Sequence, residues 1–283
     1  MSKSITAVTH DGTFHADDVM ATAILMKVYG EDIHIIRSRD PKIIESADIV
    51  YDVGGMYDHA SNRFDHHMDP VPTDINGNIL SSAGMIWLKF NNYVSSYHIR
   101  EQVYDCLIKS IDLIDNGKAD LDPTHISFSG IIFKFNKTWN SDDDIDHLFW
   151  SAVDYARITL DMIIKNIESK LLAIDYLNKQ VIKDNVLILD RGVPWIDWMF
   201  DFEKDIDYVI FPDENKTSWF LQSAPVSKDS FELKKPLPET WAGKRDKAFQ
   251  NIIGDDNLIF CHPARFIAGA KTKDSVLALL NHI

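Results

Sequence analysis

Between Thr9 and Ala21 the chain reads T-H-D-G-T-F-H-A-D-D-V-M-A. His10, His15, Asp17 and Asp18 fall within nine residues, and their imidazole nitrogens and carboxylate oxygens are donors that hold divalent cations. A histidine-rich turn that merely caps a helix is the competing reading. It explains Asp18 best, because an acid in a first helical turn suits the helix dipole without any metal. Two later segments carry matching chemistry. Asp52 stands in V-Y-D-V-G-G, where an aspartate before two glycines also makes an ordinary turn. Asp65, His66 and His67 stand in R-F-D-H-H-M. Adjacent histidines point in different directions, so one ring can bind a cation while the other reaches a substrate oxyanion. Asp65 can then hold an imidazole in the required tautomer. Asp112 and Asp115 in I-D-L-I-D-N-G lie three apart on one helical face, and Asp115, beside the turn, is the better candidate. Asp58, His59, Asp69 and His98 read as solvated polar surface.

His10, His15, Asp17, Asp52, His66 and Asp115 together offer six donors for two divalent ions. A carboxylate between two ions, the part assigned to Asp52, keeps them about 3.5–4 Å apart. Mixed imidazole and carboxylate donors suit manganese, iron or zinc, with magnesium less favoured because it prefers oxygen. Water held by two such ions loses a proton near neutral pH and attacks phosphorus in line. The chemistry is phosphoester or phosphoanhydride hydrolysis, with Asp17, Asp52, His66 and His67 as the catalytic set.

These residues need a scaffold that converges them. Ile5–Thr9 reads as a buried strand, Asp17–Tyr29 as a helix stopped by Gly30, Ile33–Ile36 as a strand, Pro41–Ser46 as a short helix or turn, and Ile49–Val53 as a strand. That β-α-β-α-β order predicts a parallel sheet of doubly wound type, an α/β fold, with the first motif and Asp52 at the carboxyl ends of neighbouring strands. Tyr57–Asp65 reads as a hairpin that returns Asp65 to those ends. Helices are expected over Ala83–Phe90, with Ser82 as N-cap, over Tyr97–Ile114, and over Asp146–Lys183 behind the acidic run Asp142–Asp144. Ser127–Trp139 reads as aromatic and irregular. From Val186 short β-like runs (Val186–Leu189, Tyr208–Phe211, Trp219–Gln222, Leu258–Cys261) alternate with turns, and a last helix covers Ser275–His282. The expected domains are 1–184, catalytic and with a long helical connector, and 185–283, a smaller α+β accessory domain.

The chain has 283 residues and a formal net charge of −14, which disfavours non-specific binding of nucleic acid by the surface as a whole. Bound divalent ions or a local basic patch can reverse that sign at a site. Two cysteines, Cys106 and Cys261, read as reduced thiols. The N-terminus enters a strand at once, leaving no room for a leader, and no apolar run has a membrane span's length, so a cytoplasmic location is expected.

The motifs H-D-G-T-F-H-A-D-D-V-M-A, Y-D-V-G-G, R-F-D-H-H-M, S-S-A-G-M-I-W and I-D-L-I-D-N-G resemble, in order, those of the melanocyte-proliferating-gene protein family. That family looks like a divergent branch of the DHH phosphoesterases. L-P-E-T-W-A-G-K-R-D and I-F-C-H-P-A-R-F-I-A-G-A-K-T extend the resemblance nearly to the C-terminus. It implies a DHH domain, an accessory domain closing over substrate, two manganese-type ions and 3′→5′ exoribonuclease or related phosphodiesterase activity. By the same resemblance His10 is the leading histidine, and His15 and Asp17 stand where most DHH enzymes carry two aspartates. Asp52 is the bridging aspartate, His66 the metal histidine, His67 its phosphate-facing neighbour and Asp115 the final aspartate.

The accessory segment has its own logic. Lys234 to Lys273 carries eight basic residues against four acidic ones, a locally positive stretch in an acidic chain. His262, Arg265 and Lys271 could grip a phosphate or terminal nucleotide. Trp195, Trp219 and Trp241 could stack on bases, although core packing is the commoner fate of tryptophan. The reading is a two-metal phosphoesterase acting on short single-stranded RNA or a nucleotide. A small-molecule pyrophosphatase or nucleotide phosphatase is the first alternative, and a non-catalytic metal-binding regulator the second. A homodimer is compatible with all three.

Overall fold

The computed structural model describes residues 4–119 and 126–283. The first three residues, where the reading of the N-terminus begins, lie outside them. Two compact units, Met1–Glu168 and Ser169–Ile283, divide the chain.

In the first unit, strand β1 (Ile5–Thr9) leads through the loop 10–15 into helix α1 (Ala16–Tyr29), followed by β2 (Ile33–Arg37), α2 (Pro41–Ser46) and β3 (Ile49–Tyr51). A hairpin of β4 (Tyr57–Asp58) and β5 (Arg63–Phe64) completes a five-stranded sheet of order β2-β1-β3-β5-β4. The pairs β1–β2, β1–β3 and β3–β5 are parallel; only the hairpin is antiparallel. Parallel strands put their carboxyl ends on one edge. Thr9, Tyr51 and Phe64 end there, and the residues after each of them form the site.

Helix α1 is buried continuously from Ala16 to Leu25, which explains why its apolar residues do not keep to one stripe. It packs against α3 (Ser82–Phe90), whose N-cap is Ser81, one residue before the expected Ser82. The expected helix from Tyr97 is α4 (Tyr97–Val103), a π-helical turn over Tyr104–Ile108, and α5 (Lys109–Asp115). Helix α6 (Phe128–Phe133) occupies the stretch expected to be irregular: Ser127 caps it by accepting from the backbone N–H of Gly130. Asp144, the last of the acidic run, accepts from Asp146 N–H at the start of α7 (Ile145–Leu177), so the run serves the helix start.

In the second unit a six-stranded sheet has the order β10-β11-β9-β8-β7-β6. Its strands are β6 (Ile182–Lys183), β7 (Val186–Ile188), β8 (Tyr208–Pro212), β9 (Trp219–Ser223), β10 (Leu258–Cys261) and β11 (Ile267–Ala270). Helices α8 (Ile196–Asp201), α9 (Asp246–Ile253) and α10 (Lys273–Leu279) accompany it. Only β7–β8 is parallel, which makes the unit mixed α+β. Strand β11 was hidden in I-A-G-A: two alanines and a glycine carry little strand preference. The whole is α/β, with a predominantly parallel sheet in the first unit. Among the described residues no helix is long and apolar enough to cross a membrane.

Candidate metal centre

The loop from Thr9 to α1 is held by groups far away in sequence. The amide of Asn136 clamps Phe14 from both sides: its Oδ1 accepts from Phe14 N–H at 3.1 Å and its Nδ2 donates to Phe14 O at 2.8 Å. Arg37, at the end of β2, donates to Gly12 O at 2.6 Å and to Asp146, and its guanidinium lies 4.3 Å from the Phe149 ring centroid. Asp18 Oδ1 accepts from His15 N–H at 2.8 Å, closing the helix start. With the backbone pinned, the His10 ring is fixed as well; its Nδ1 faces Asp11 O at 3.0 Å, leaving Nε2 for the site.

Asp52 sits just past β3 with φ of 55°, a left-handed backbone that aspartate tolerates better than most residues. This conformation turns its carboxylate into the cluster, between two imidazoles. Oδ2 is 3.1 Å from His10 Nε2, and Oδ1 is 3.4 Å from His66 Nε2. His66 Nε2 is also 3.0 Å from Asp115 Oδ2 and 3.6 Å from Asp17 Oδ2. His10 Nε2 is 3.4 Å from Asp18 Oδ2. Two lobes therefore meet at Asp52: His10 with Asp18 on one side, and His66 with Asp17 and Asp115 on the other. The side chains of His15, Asp17 and Asp115 also approach one another closely enough to share an ion, although His15 is exposed.

The neighbouring groups set the geometry. Asp65 Oδ1 accepts from both the backbone N–H and the ring Nδ1–H of His67, the latter at 2.7 Å, while its Oδ2 accepts from Gly55 N–H at 2.6 Å. His67 thus keeps Nε2 free, with its ring mostly exposed. His66 Nδ1 is 3.2 Å from Asn116 Oδ1, and the Asn116 amide donates to Asp112 O at 2.9 Å. Asp112 itself is elsewhere: its Oδ1 accepts from the N–H and hydroxyl of Ser81 at the start of α3.

The cluster is electrostatically incomplete by itself. Both oxygens of Asp17, Oδ2 of Asp18, Oδ1 of Asp52 and Nε2 of His66 are buried without a hydrogen-bond partner. Burying carboxylates unpaired is costly, and so many orphaned donor atoms facing one point fit divalent cations. Burial, then the charges of Asp52, Asp115 and Asp18, hold the Asp17 carboxyl well above the usual range. Burial likewise pushes Asp18 up to about 7. Burial works against a charge on His66, yet the carboxylates of Asp115 and Asp52 outweigh it and push the ring up to about 11. For Asp52 burial is outweighed by His10 and His66, which hold its carboxyl far below the usual range. Positive charge is what the cluster lacks, and protons on the imidazoles supply it where cations do not.

All six expected metal donors converge here, with His67 beside them. Asp18, the weaker candidate in the sequence, faces the same point. Asn116 and Asn136 carried no sequence signal, because an amide's role depends on what it meets in space. Arg39, beyond β2, is the one arginine or lysine among the residues lining the adjacent cavity of about 680 Å³; its Nε is 3.4 Å from Asp11.

In the second unit His262 and Arg265 share the turn between β10 and β11. Arg265, at φ of 61°, ties the turn down: its N–H donates to His262 O, its carbonyl accepts from Leu237 N–H, and Nη1 lies 3.4 Å from Leu237 O. Lys271 stands at the opposite end of β11. Trp195 and Trp241 are buried in the core and Trp219 packs on it, so core packing accounts for all three tryptophans.

A histidine–aspartate cluster at the carboxyl edge of a parallel sheet defines a candidate metal-binding α/β protein. A family model, MYG1_exonuc, described as an uncharacterised protein family (UPF0160), matches residues 6–282, and the chain belongs to that family. The MYG1 protein of Dictyostelium discoideum is 30% identical, the alignment covering 97% of this chain and 95% of the relative. A MYG1 protein of Schizosaccharomyces pombe is 32% identical, covering 99% and 97%. A human relative, named MYG1 exonuclease, is 28% identical over 96% of this chain and 83% of its own length.

Proposed function

We propose that this protein is a metal-dependent phosphoesterase of the nuclease type, shortening single-stranded RNA from its 3′ end. The observation that carries the reading is the Asp52 carboxylate, with one oxygen toward His10 and Asp18 and the other toward His66. The donor set suits two divalent ions, manganese first, held by His10, His15, Asp17, Asp18, Asp52, His66 and Asp115. Such ions, when bound, acidify water and offset charge on a phosphoryl group. The protein's own groups then do the rest. Asp52 links the two lobes. Asp65 orients His67 so that Nε2 can donate to a phosphoryl oxygen. Arg39 at the cavity edge adds a cation for the substrate backbone. His262, Arg265 and Lys271 belong to the substrate side of the reading, with a nucleotide as the smallest ligand. The printed name of the human relative supports a nuclease-type hydrolase.

The test is purified protein with manganese and an end-labelled single-stranded RNA, beside Asp17→Ala. We expect stepwise shortening from the 3′ end, lost in the variant. Absence of cleavage by metal-loaded protein, with release of phosphate from pyrophosphate or a small nucleotide, would replace this reading with the phosphatase one. Inactivity on every phosphate ester would leave the regulatory one.

A further inference from the structure

We propose that the exposed face of the second unit's sheet is a stacking platform for unpaired nucleobases, built on Phe220 and Phe260. The choice of ligand rests on the proposed function. Phe260 on β10, Gly269 on β11, Phe220 on β9 and Phe211 on β8 stand directly opposite one another across four strands. Ring centroids are 6.4 Å apart for Phe220 and Phe260 and 5.7 Å for Phe211 and Phe220. A Cβ at Gly269 would come within 2.8 Å of the Phe260 ring and 3.2 Å of Phe220. Only glycine lets both rings close over the strand between them. The opposite face of these strands carries the core residues Ile210, Leu221, Ala268 and Ala270. Phe211 is engaged by the cluster around α8, whereas Phe220 and Phe260 belong to neither core cluster and remain partly exposed.

Covering a glycine explains where the rings lie. It does not explain the cations around them. The Arg245 guanidinium is 5.5 Å from the Phe260 ring centroid. His262 follows Phe260 by two residues and Lys271 follows Gly269 by two, so the strand alternation puts both on this face. All three are exposed, and none has an ion pair among the described residues. Asp213, two residues beyond Phe211, is held by the N–H and hydroxyl of Thr217. In a chain of net charge −14 this is an aromatic surface flanked by two cations, Arg245 and Lys271, with the His262 ring beside them held by Ala264 N–H through Nδ1. That pairing fits bases and phosphates of a single strand, because every base offers a π-face and stacking on aromatic rings is sequence-tolerant.

The experiment is fluorescence anisotropy of a labelled short oligouridylate in EDTA, where cleavage cannot intervene, beside an abasic strand of equal length and charge. We expect the wild-type protein to bind the abasic strand about tenfold more weakly. Phe220→Leu with Phe260→Leu should weaken oligouridylate binding about as much while leaving the abasic strand unaffected. Equal affinity for the two strands in the wild-type protein overturns the platform whatever the variant does; so does full oligouridylate affinity in a folded double variant. Hydrolysis of bis(4-nitrophenyl) phosphate with manganese reads the metal centre separately. Its absence alongside base-dependent binding would remove the phosphoesterase reading and leave the platform standing.

Discussion

Oδ2 of Asp18 lies 3.4 Å from Nε2 of His10, buried and with no hydrogen-bond donor of its own. The other oxygen of the same carboxylate closes the first turn of α1 on His15 N–H. One side chain therefore serves the helix and the cluster together. Asp18→Asn separates the two, since an amide oxygen can keep the cap while the charge is lost. We expect manganese affinity, measured by calorimetric titration, to fall tenfold or more with little change in thermal midpoint. Unchanged affinity would return Asp18 to a purely helical role.

Asp65 holds His67 through both its backbone N–H and its ring. Asp65→Ala should leave metal stoichiometry intact and lower kcat about 10–100-fold, as loss of an orienting carboxylate does. Steady-state kinetics beside a metal count distinguishes this from a ligand's loss, which would lower both together.

The Asn136 clamp on Phe14 ties the His10–His15 loop to a segment more than a hundred residues away. Asn136→Ala leaves two backbone groups of Phe14 unpaired, at a cost of about 1–3 kcal/mol each where they stay dry. The expected result is a lower thermal midpoint that recovers partly with saturating manganese. A variant with wild-type midpoint and metal affinity would show that Arg37 suffices to hold the loop.

Asp112 gives a pH dependence separate from the metal centre. Burial pushes its carboxyl up to about 6, against the hydrogen bonds from Ser81 that favour the charge. A folded-state value above the unfolded one means that this group's contribution is fully present below the unfolded pKa and is lost as pH rises through about 6. Urea denaturation of Asp112→Asn should therefore lack that decline. The difference between wild type and variant should change by about 2 kcal/mol between pH 4 and pH 7.5, with wild type losing ground. A constant difference would mean the carboxylate is not desolvated as the structure places it. Gly84→Ala, whose Cβ would come within 2.4 Å of Asp112 Oδ1, should destabilise by about 1–3 kcal/mol at any pH.

Much of the site was legible because metal donors are a short list of residue types, and strand ends are where a parallel sheet presents them. His10, Asp17, Asp52, His66 and Asp115 could be named on those grounds. Asp18 read as the weaker candidate because the helix start explains one of its oxygens, and a sequence does not say where the second one points. Strand β11 was missed because I-A-G-A has weak strand preference; its place is set by pairing with β9 and β10. Helix α6 was missed because six residues between loops give too short a window for helical periodicity.

The sequence by itself determined the alternation of strands and helices, hence an α/β fold, and the chemical types gathered near each strand end. It did so because side-chain periodicity and turn residues are local properties. Which atoms meet was decided only in three dimensions. The left-handed backbone at Asp52, the amides of Asn116 and Asn136, and the Phe220–Gly269–Phe260 row all depend on partners distant in the chain. Hydrogen bonds and cross-strand contacts are set by positions within a few ångströms, and such distances exist only once the whole chain has packed.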